Sequence, residues 1–182
     1  MKINKTFNLS RDRWIKKPFL ALAYHAWLVE NGSLTARLQK SYANFSVIST
    51  RLAYGKPYYS EAAALNLAST RRALIREVQL CESNQPLVFA HSVLPSKCLR
   101  GEWHNLGRLG NQPLGATLFA NHNVKRTAFR YKKVYANQAL YRAAIKNLGY
   151  QPEFLWARRS IFSLKCASIM VTEVFLPKLI KP

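Results

Sequence analysis

The segment 73–80 constrains the fold of this chain more than any other stretch, because it sets one arginine among apolar residues. It is rich in β-branched and apolar residues, lacks Gly and Pro, and precedes turn-forming residues at 83–86, so it predicts a β-strand. Alternate side chains of a strand share a face. Arg76 therefore lies on a face with three apolar residues, Leu74, Val78 and Leu80. A buried arginine needs an ion-pair partner or a bound anion. Arg76 is therefore an anion-binding residue or part of a structural ion pair, unless its face of the strand is exposed to solvent.

A second predicted strand, 168–176, sets an acid in similar surroundings. Alternation places Glu173 on a face with three apolar residues, Ile169, Val171 and Phe175. An inward Arg76 and an inward Glu173 can pair with each other, or they can both face one cavity. The pattern leaves these two arrangements open.

The chain is strongly basic, with 28 Lys and Arg against 8 Asp and Glu and a formal net charge of +20. Such a field favours nucleic acid, an anionic membrane surface or a small polyanionic substrate as the partner, and it does not choose among them. With 182 residues, of which 49% are hydrophobic, we expect one globular domain over 1–182.

Cysteine usage and hydropathy predict a cytoplasmic protein. Three widely spaced cysteines form no metal-binding pattern and are typical of thiols in a reducing compartment. The basic start is not followed by a clean apolar run, and no run of about 18 apolar residues occurs anywhere. Neither a signal peptide nor a transmembrane helix is therefore predicted.

Hydrophobic spacing predicts about six strands and several short helices behind a basic N-terminal segment, 1–18. The strands are 45–54, 73–80, 87–94, 123–134, 155–164 and 168–176, and the helices are 19–30, 34–42, 116–120 and 138–148. The segment 96–112 is predicted to be loop and short helix, anchored by Trp103, Leu106 and Leu109. The tail 178–182 is predicted to be exposed. Because most strand connections are too short for parallel crossovers, we expect an α+β fold with a mainly antiparallel sheet and helices grouped on one side.

Two local features leave alternatives open. Gly115, beside Leu114, indicates either close approach of the backbone to a neighbour or ligand, or simply a turn into the next helix. The predicted helix pair over 19–42 has the shape of a DNA-reading hairpin, although pairs of short helices more commonly cover a core.

Several common chemistries have no matching motif. The four histidines are scattered, without the spacing of a metal site, and are predicted to be surface or structural residues. There is no nucleophile elbow, no phosphate-binding loop and no dinucleotide-binding motif after a strand. Acids are too scarce to favour a two-carboxylate glycosidase pair. If the chain is an enzyme, we expect it to work by positioning and by fixed positive charge.

The order and spacing of several short motifs resemble those of the bacterial chorismate lyases. The motifs extend over about residues 14–177 and include Ile75-Arg76-Glu77-Val78-Gln79-Leu80-Cys81, Leu114-Gly115, Arg158-Arg159-Ser160 and Thr172-Glu173-Val174-Phe175-Leu176-Pro177. Each piece is short. Their number, order and spacing together carry the resemblance.

The resemblance implies a single antiparallel sheet with helical flaps that enclose an internal site. It implies conversion of chorismate to 4-hydroxybenzoate and pyruvate for ubiquinone biosynthesis, with no metal and no organic cofactor. The family's ligand contacts fall on Arg76, Glu173, the backbone at Leu114, and Leu34 in the helical flap; for the two leucines, core packing stays an alternative. Residues 135–154 look like an insertion, which is either a surface addition or an extra wall of the site.

A mechanism follows as a hypothesis. Arg76 would bind the enolpyruvyl end of the chorismate dianion and stabilise charge on the departing oxygen. Glu173 would accept a hydrogen bond from the ring hydroxyl. A role as general base ranks second, because the neighbouring Arg76 should keep the carboxylate ionised and weakly basic. The Leu114 backbone would hold the ring carboxylate.

Two other classes of function stay open. A non-catalytic domain of the same fold, like the small-molecule sensor domains of some transcription regulators, would bind an aromatic acid without turnover. Such domains normally follow a DNA-binding segment, and residues 1–43 are too short and too poorly patterned for one. A basic nucleic-acid-binding protein would use the run 125–133, with Phe129 and Tyr131, which we interpret as a solvated strand face. We predict a monomer without a specific nucleic-acid partner.

Overall fold

A computed structural model describes residues 13–68, 70–108 and 110–180 of the chain. Residues 1–12 of the predicted basic segment, the predicted anchor Leu109 and the last two residues of the predicted tail lie outside the described residues. The other two predicted anchors, Trp103 and Leu106, are buried. Within the described ranges, no helix has the length and apolar character needed to cross a lipid bilayer.

One antiparallel sheet organises the described part of the chain. Its seven strands are β1 (Phe45–Gly55), β2 (Ala73–Glu82), β3 (Gln85–Pro95), β4 (Lys125–Arg126), β5 (Arg130–Val134), β6 (Leu155–Leu164) and β7 (Ala167–Phe175). Their order across the sheet is β1-β2-β3-β7-β6-β4, and β5 also pairs with β6. The β2–β3 hairpin turns at Ser83 and Asn84, whose φ angles of 46° and 64° match a tight hairpin turn. The predicted α+β class with an antiparallel sheet is confirmed.

The sheet has one strand more than predicted because the basic strand expected over 123–134 is interrupted. The Thr127 N–H donates to the Ile161 carbonyl at 2.9 Å, but the Ile161 N–H donates to the Thr127 side-chain Oγ1, at 3.0 Å, and not to a strand carbonyl. Phe129 then turns inward and is buried. The interruption separates β4 from β5.

Six α-helices pack against this sheet in the described ranges. They are α1 (His25–Leu28), α2 (Leu34–Ser41), α3 (Tyr59–Ala64), α4 (Ser96–Leu99), α5 (Leu114–Ala120) and α6 (Ala139–Ile145). The expectation that the helices group on one side is wrong. Helices α2 and α5 cover one face, and α6 packs Leu140, Tyr141 and Ala144 on the other. Both faces need cover because β2 is buried at all positions but its last.

The structure also corrects two helix lengths and the tail. The helix predicted over 19–30 is reduced to a 3-10 turn and α1, because Leu20 and Leu22 have left-handed backbones with φ of 55° and 42°. The helix predicted over 138–148 is the shorter α6. The tail is not wholly exposed, because Leu179 is buried and its carbonyl accepts a hydrogen bond from the Tyr42 hydroxyl at 3.2 Å.

Candidate active site

A pocket lies between the sheet and the helices α2 and α5. We call the face of the sheet that lines it the pocket face, and the opposite face the back face. All four predicted site residues line the pocket: Leu34, Arg76, Leu114 and Glu173. The predicted insertion, 135–154, contributes no described wall residue, and its helix α6 covers the back face instead.

Arg76 is a buried cation on the floor of the pocket. It is 2% exposed, which excludes a wet face. Its Nη2 donates to the carbonyls of Gly110 and Gln112, at 3.0 and 2.7 Å, while its buried Nε has no hydrogen-bond partner among the described residues. Burial lowers the pKa of this guanidinium. Because no described carboxylate pairs with Arg76, the pocket holds a buried cation with a donor left for an anion.

The N-terminal ends of α2 and α5 meet at the pocket. Ser33 caps α2, since its Oγ accepts a hydrogen bond from a first-turn N–H at 3.3 Å. Gly115 permits the contact, because a Cβ there would lie 3.2 Å from the Ser33 Oγ and 3.5 Å from the Thr35 Oγ1. The close approach predicted at Gly115 is therefore to a neighbouring helix. Leu34 and Leu114 begin the two helices, so their N–H groups have no partner within the helix.

Glu173 pairs with Arg158 of the neighbouring strand β6. The Arg158 Nε donates to the Glu173 Oε2 at 2.5 Å. The Arg158 Nη1 donates to three carbonyls at 2.7–3.1 Å, those of Trp27, Leu28 and Glu30. With Arg158 only 1% exposed, these bonds hold the Glu173 carboxylate and fix the chain that leads into α2.

The register of the sheet sets the distance between Arg76 and Glu173. Arg76 pairs with Ser92 on β3, and Ser92 pairs with Val171 on β7, so Glu173 is one two-residue step further along. Two strand spacings of about 4.8 Å and a step of about 6.8 Å place the two Cα atoms about 12 Å apart. Of the two arrangements that the sequence left open, the structure has the second: both charges face one cavity. The space between them suits one six-membered ring.

Sequence reasoning did not assign two further arginines of the pocket wall, Arg126 and Arg158. Arg158 lies within a recognised motif, but the adjacent Arg159 made it unclear from alternation which of the two faces inward. The interpretation of 125–133 as a solvated strand face is wrong at Arg126. Its guanidinium lies 4.4 Å from the ring centre of Phe129, in the wall of the pocket. No local signal marks Arg126, because its surroundings come from distant segments.

The back face carries a second set of buried charges. The His91 ring nitrogens lie 3.0 Å from a Glu77 oxygen and 3.3 Å from a Glu61 oxygen, and the Tyr58 ring stacks on the imidazole. Burial works to lower the pKa of His91, but the two carboxylates outweigh it and raise the pKa to about 9. Each charge of this set faces an opposite charge within it, so His91 is a structural histidine, as predicted.

Comparisons with known proteins find similar sequences over most of this chain. A family model described as chorismate lyase matches residues 9–181. A protein of Methylobacillus flagellatus named "Probable chorismate pyruvate-lyase" is 42% identical over 171 residues, which cover 94% of this chain and 96% of that protein. A protein of the same name from Nitrosospira multiformis is 46% identical over 156 residues, covering 85% and 87%.

Solved structures share the fold at much lower identity. The PhnF C-terminal domain matches with a TM-score of 0.58 and 12% identity, over 75% of this chain and 85% of that one. A GntR-family transcriptional regulator from Bacillus cereus matches with a TM-score of 0.54 and 10% identity, over 76% and 96%. At such identities the similarity shows the fold alone.

Proposed function

We propose that this pocket is the active site of the chain, which belongs to the chorismate lyase family. The enzyme breaks the carbon–oxygen bond between the ring of chorismate and its enolpyruvyl group, which gives 4-hydroxybenzoate, for ubiquinone biosynthesis, and pyruvate. One observation carries the proposal. Arg76 is buried with an Nε that lacks a partner among the described residues, and Glu173 lies across the same pocket floor.

The ring carboxylate binds between Arg76 and the first residues of α2 and α5. The Arg76 Nε and the N–H groups of Leu34 and Leu114 are the donors, and helix N-termini favour an anion. The two leucine side chains form an apolar wall beside the ring. Because Arg76 holds the carbonyls of Gly110 and Gln112, just before Leu114, it shares the ring carboxylate with Leu114. In this respect the proposal departs from the sequence-based hypothesis, which gave Arg76 the enolpyruvyl end.

Glu173 orients the other end of the ring. Its carboxylate accepts a hydrogen bond from the ring hydroxyl, which lies opposite the ring carboxylate in both substrate and product. Arg158 keeps that acceptor in place. Two polar ends and an apolar middle thus match the shape of 4-hydroxybenzoate.

With both ends held, the ring has one orientation for elimination. The hydrogen on the hydroxyl-bearing carbon leaves as a proton, and its bonding pair completes the aromatic ring. The electron pair of the ether bond leaves with the oxygen as the enolate of pyruvate, which is protonated at its methylene carbon. Aromatisation supplies the driving force, and orientation of this kind lowers a barrier by about 7–11 kcal/mol in favourable cases.

The basic run 125–133 is poorly suited to binding nucleic acid. Phe129 and Tyr131, the aromatic residues of the basic run, are 8% and 7% exposed, so they offer no rings for base stacking. The formal charge of +20 suits the capture of a small dianion. The cytoplasmic location, the monomeric state and the lack of a nucleic-acid partner stay predictions.

Incubation with chorismate tests the proposal. We expect equal amounts of 4-hydroxybenzoate and pyruvate by chromatography, and none above background from the Arg76→Ala variant. Saturable binding of 4-hydroxybenzoate without turnover would instead favour a non-catalytic ligand-binding domain. The absence of both turnover and binding would overturn both functions.

A further inference from the structure

The pocket wall carries more positive charge than the product can match. Among the described wall residues there are three arginines and one glutamate: Arg76, Arg126, Arg158 and Glu173. Arg158 pairs with Glu173, which leaves Arg76 and Arg126 without a carboxylate partner among these residues. 4-Hydroxybenzoate brings one carboxylate, whereas chorismate brings two. The substrate is therefore the ligand whose charge balances the wall.

Arg158 already pairs with the Glu173 carboxylate, so it offers no uncompensated charge for a second carboxylate. Its Nε is bound to Glu173, and its Nη1 is bound to three backbone carbonyls. Turning it toward a ligand would leave these buried acceptors without their donor. Arg76 lies across the floor, at the end of the pocket that takes the ring carboxylate. Arg126 is the remaining cation of the described wall.

Arg126 lies on the Glu173 side of the pocket. Its guanidinium is 4.4 Å from the Phe129 ring centre, and the guanidinium of Arg158 is 4.2 Å from the same ring, so the two cations are neighbours. The Arg126 Nη2 donates to the Asn31 carbonyl at 2.6 Å. The rings of Phe119 and Phe162 also line this part of the wall. The result is a half-buried guanidinium on an aromatic support, with donors left for a ligand.

This position matches the chemistry of the substrate. When the ring hydroxyl is on Glu173, the ether carbon is the next ring atom, so the enolpyruvyl group lies on the Glu173 side and away from Arg76. We propose that Arg126 binds the enolpyruvyl carboxylate of chorismate and thereby distinguishes the dianionic substrate from the monoanionic product. The inference rests on the proposed function of this pocket.

The contact is compatible with the bond changes of the elimination. The ether bonding pair leaves with the oxygen of the enolate, the ring proton leaves from the hydroxyl-bearing carbon, and the methylene carbon gains a proton. The enolpyruvyl carboxylate does not react, so Arg126 holds the departing fragment by its unreactive end. After cleavage this carboxylate leaves with pyruvate, and 4-hydroxybenzoate makes no contact with Arg126.

A matched pair of variants tests the proposal. Arg126→Met is compared with Lys125→Met, which removes the same charge from an exposed neighbour on β4. For Arg126→Met we expect kcat/KM for chorismate to fall by about 10- to 100-fold, the range for a lost charged hydrogen bond. The Kd of 4-hydroxybenzoate, measured by calorimetry, should change less than about 3-fold. The corresponding change in binding free energy is smaller than the contribution of one hydrogen bond. Lys125→Met should leave both unchanged, and Arg126→Lys should recover part of the loss.

Two ligands make the test independent of turnover. 4-Hydroxy-3-(carboxymethoxy)benzoate carries a second carboxylate beside the hydroxyl, and 4-hydroxybenzoate does not. The wild-type protein should bind the dicarboxylate more tightly than 4-hydroxybenzoate, and Arg126→Met should remove that difference. Equal losses for both ligands, or no loss for either, would overturn the role of Arg126. A wild-type protein that binds both ligands as expected but does not turn over chorismate would overturn the proposed function and leave the subsite standing.

Discussion

The pocket face and the back face of the sheet both bury charge, but they use it differently. On the back face, the His91 imidazole lies within ion-pair distance of the Glu61 and Glu77 carboxylates, so the buried charges face opposite charges. On the pocket face, Arg76 keeps an Nε without a partner among the described residues, in the wall of the pocket. A buried charge alone therefore does not mark a site. A buried donor that lacks a hydrogen-bond partner and lies beside a cavity does mark a site.

The difference predicts opposite results of mutation. Removing one partner of a buried ion pair leaves the other charge uncompensated, so it lowers stability. A charge that has no partner in the free protein contributes to binding energy mainly when a ligand is bound, so removing it lowers binding and turnover. Four predictions test this contrast.

Arg76→Ala should have the largest effect. We expect kcat/KM for chorismate to fall by at least about 1000-fold, because the buried cation that holds the ring carboxylate is lost. Circular dichroism should show a folded protein. Arg51→Ala is the matched control, since it removes an arginine that is 46% exposed and pairs with Glu77 on the back face. Near-normal turnover by Arg76→Ala would contradict the assignment of the site.

His91→Ala should show the opposite pattern. Removing the imidazole leaves Glu61 and Glu77 buried without their partner, so the free energy of unfolding should fall by about 3–5 kcal/mol. Turnover per folded molecule should stay within about 2-fold of the wild type, because the residue does not line the pocket. Urea unfolding and initial rates measure the two quantities. A collapse of turnover at unchanged stability would show that the back face has a functional role.

The pH dependence of stability should reveal the same cluster. The pKa of His91 is raised from 6.5 to about 9 on folding, so its stabilisation is fully present below pH 6.5 and is lost as the pH rises through 9. This amounts to a loss on the order of 3 kcal/mol. Denaturant unfolding near pH 6 and near pH 9.5 measures it, with His91→Ala as the variant that should lack this loss. Equal stability of the wild type at both pH values would argue against the charged cluster.

Glu173→Gln should have the smallest effect of the four. The amide keeps the shape and one acceptor oxygen but loses the charge that faces Arg158. We expect kcat/KM to fall by about 10-fold, with a similar loss in affinity for 4-hydroxybenzoate. Glu102→Gln, which removes an acid from a surface pair with Lys165, is the control and should change neither quantity. An effect larger than that of Arg76→Ala would mean that Glu173 does more than orient the ring.

Period-two alternation was sufficient to find Arg76 and Glu173. Each stands in a long strand among apolar neighbours, so the inward direction of the side chain can be read locally. The same rule left Arg158 unresolved, because Arg158 and Arg159 are adjacent and both faces of β6 are largely apolar. Only the packing of α1 and the position of Glu173 decide between them.

Arg126 and the N-terminal helix show where local patterns stop being informative. Arg126 lies in a strand of two residues, and the rings around it belong to α5, to β6 and to the turn before β5. Nothing within its own segment indicates burial. The helix predicted over 19–30 has suitable spacing, yet Leu20 and Leu22 are left-handed and exposed. The burial of Arg126 depends on distant contacts, which a single-sequence pattern does not contain.

A crystal structure with 4-hydroxybenzoate bound would test the central claim most directly. We predict that the ring carboxylate lies within hydrogen-bonding distance of the Arg76 Nε and the Leu114 N–H, and that the hydroxyl lies on the Glu173 carboxylate. Arg126 should make no contact with this ligand. Product bound in the reverse orientation, or outside the pocket face, would contradict the account.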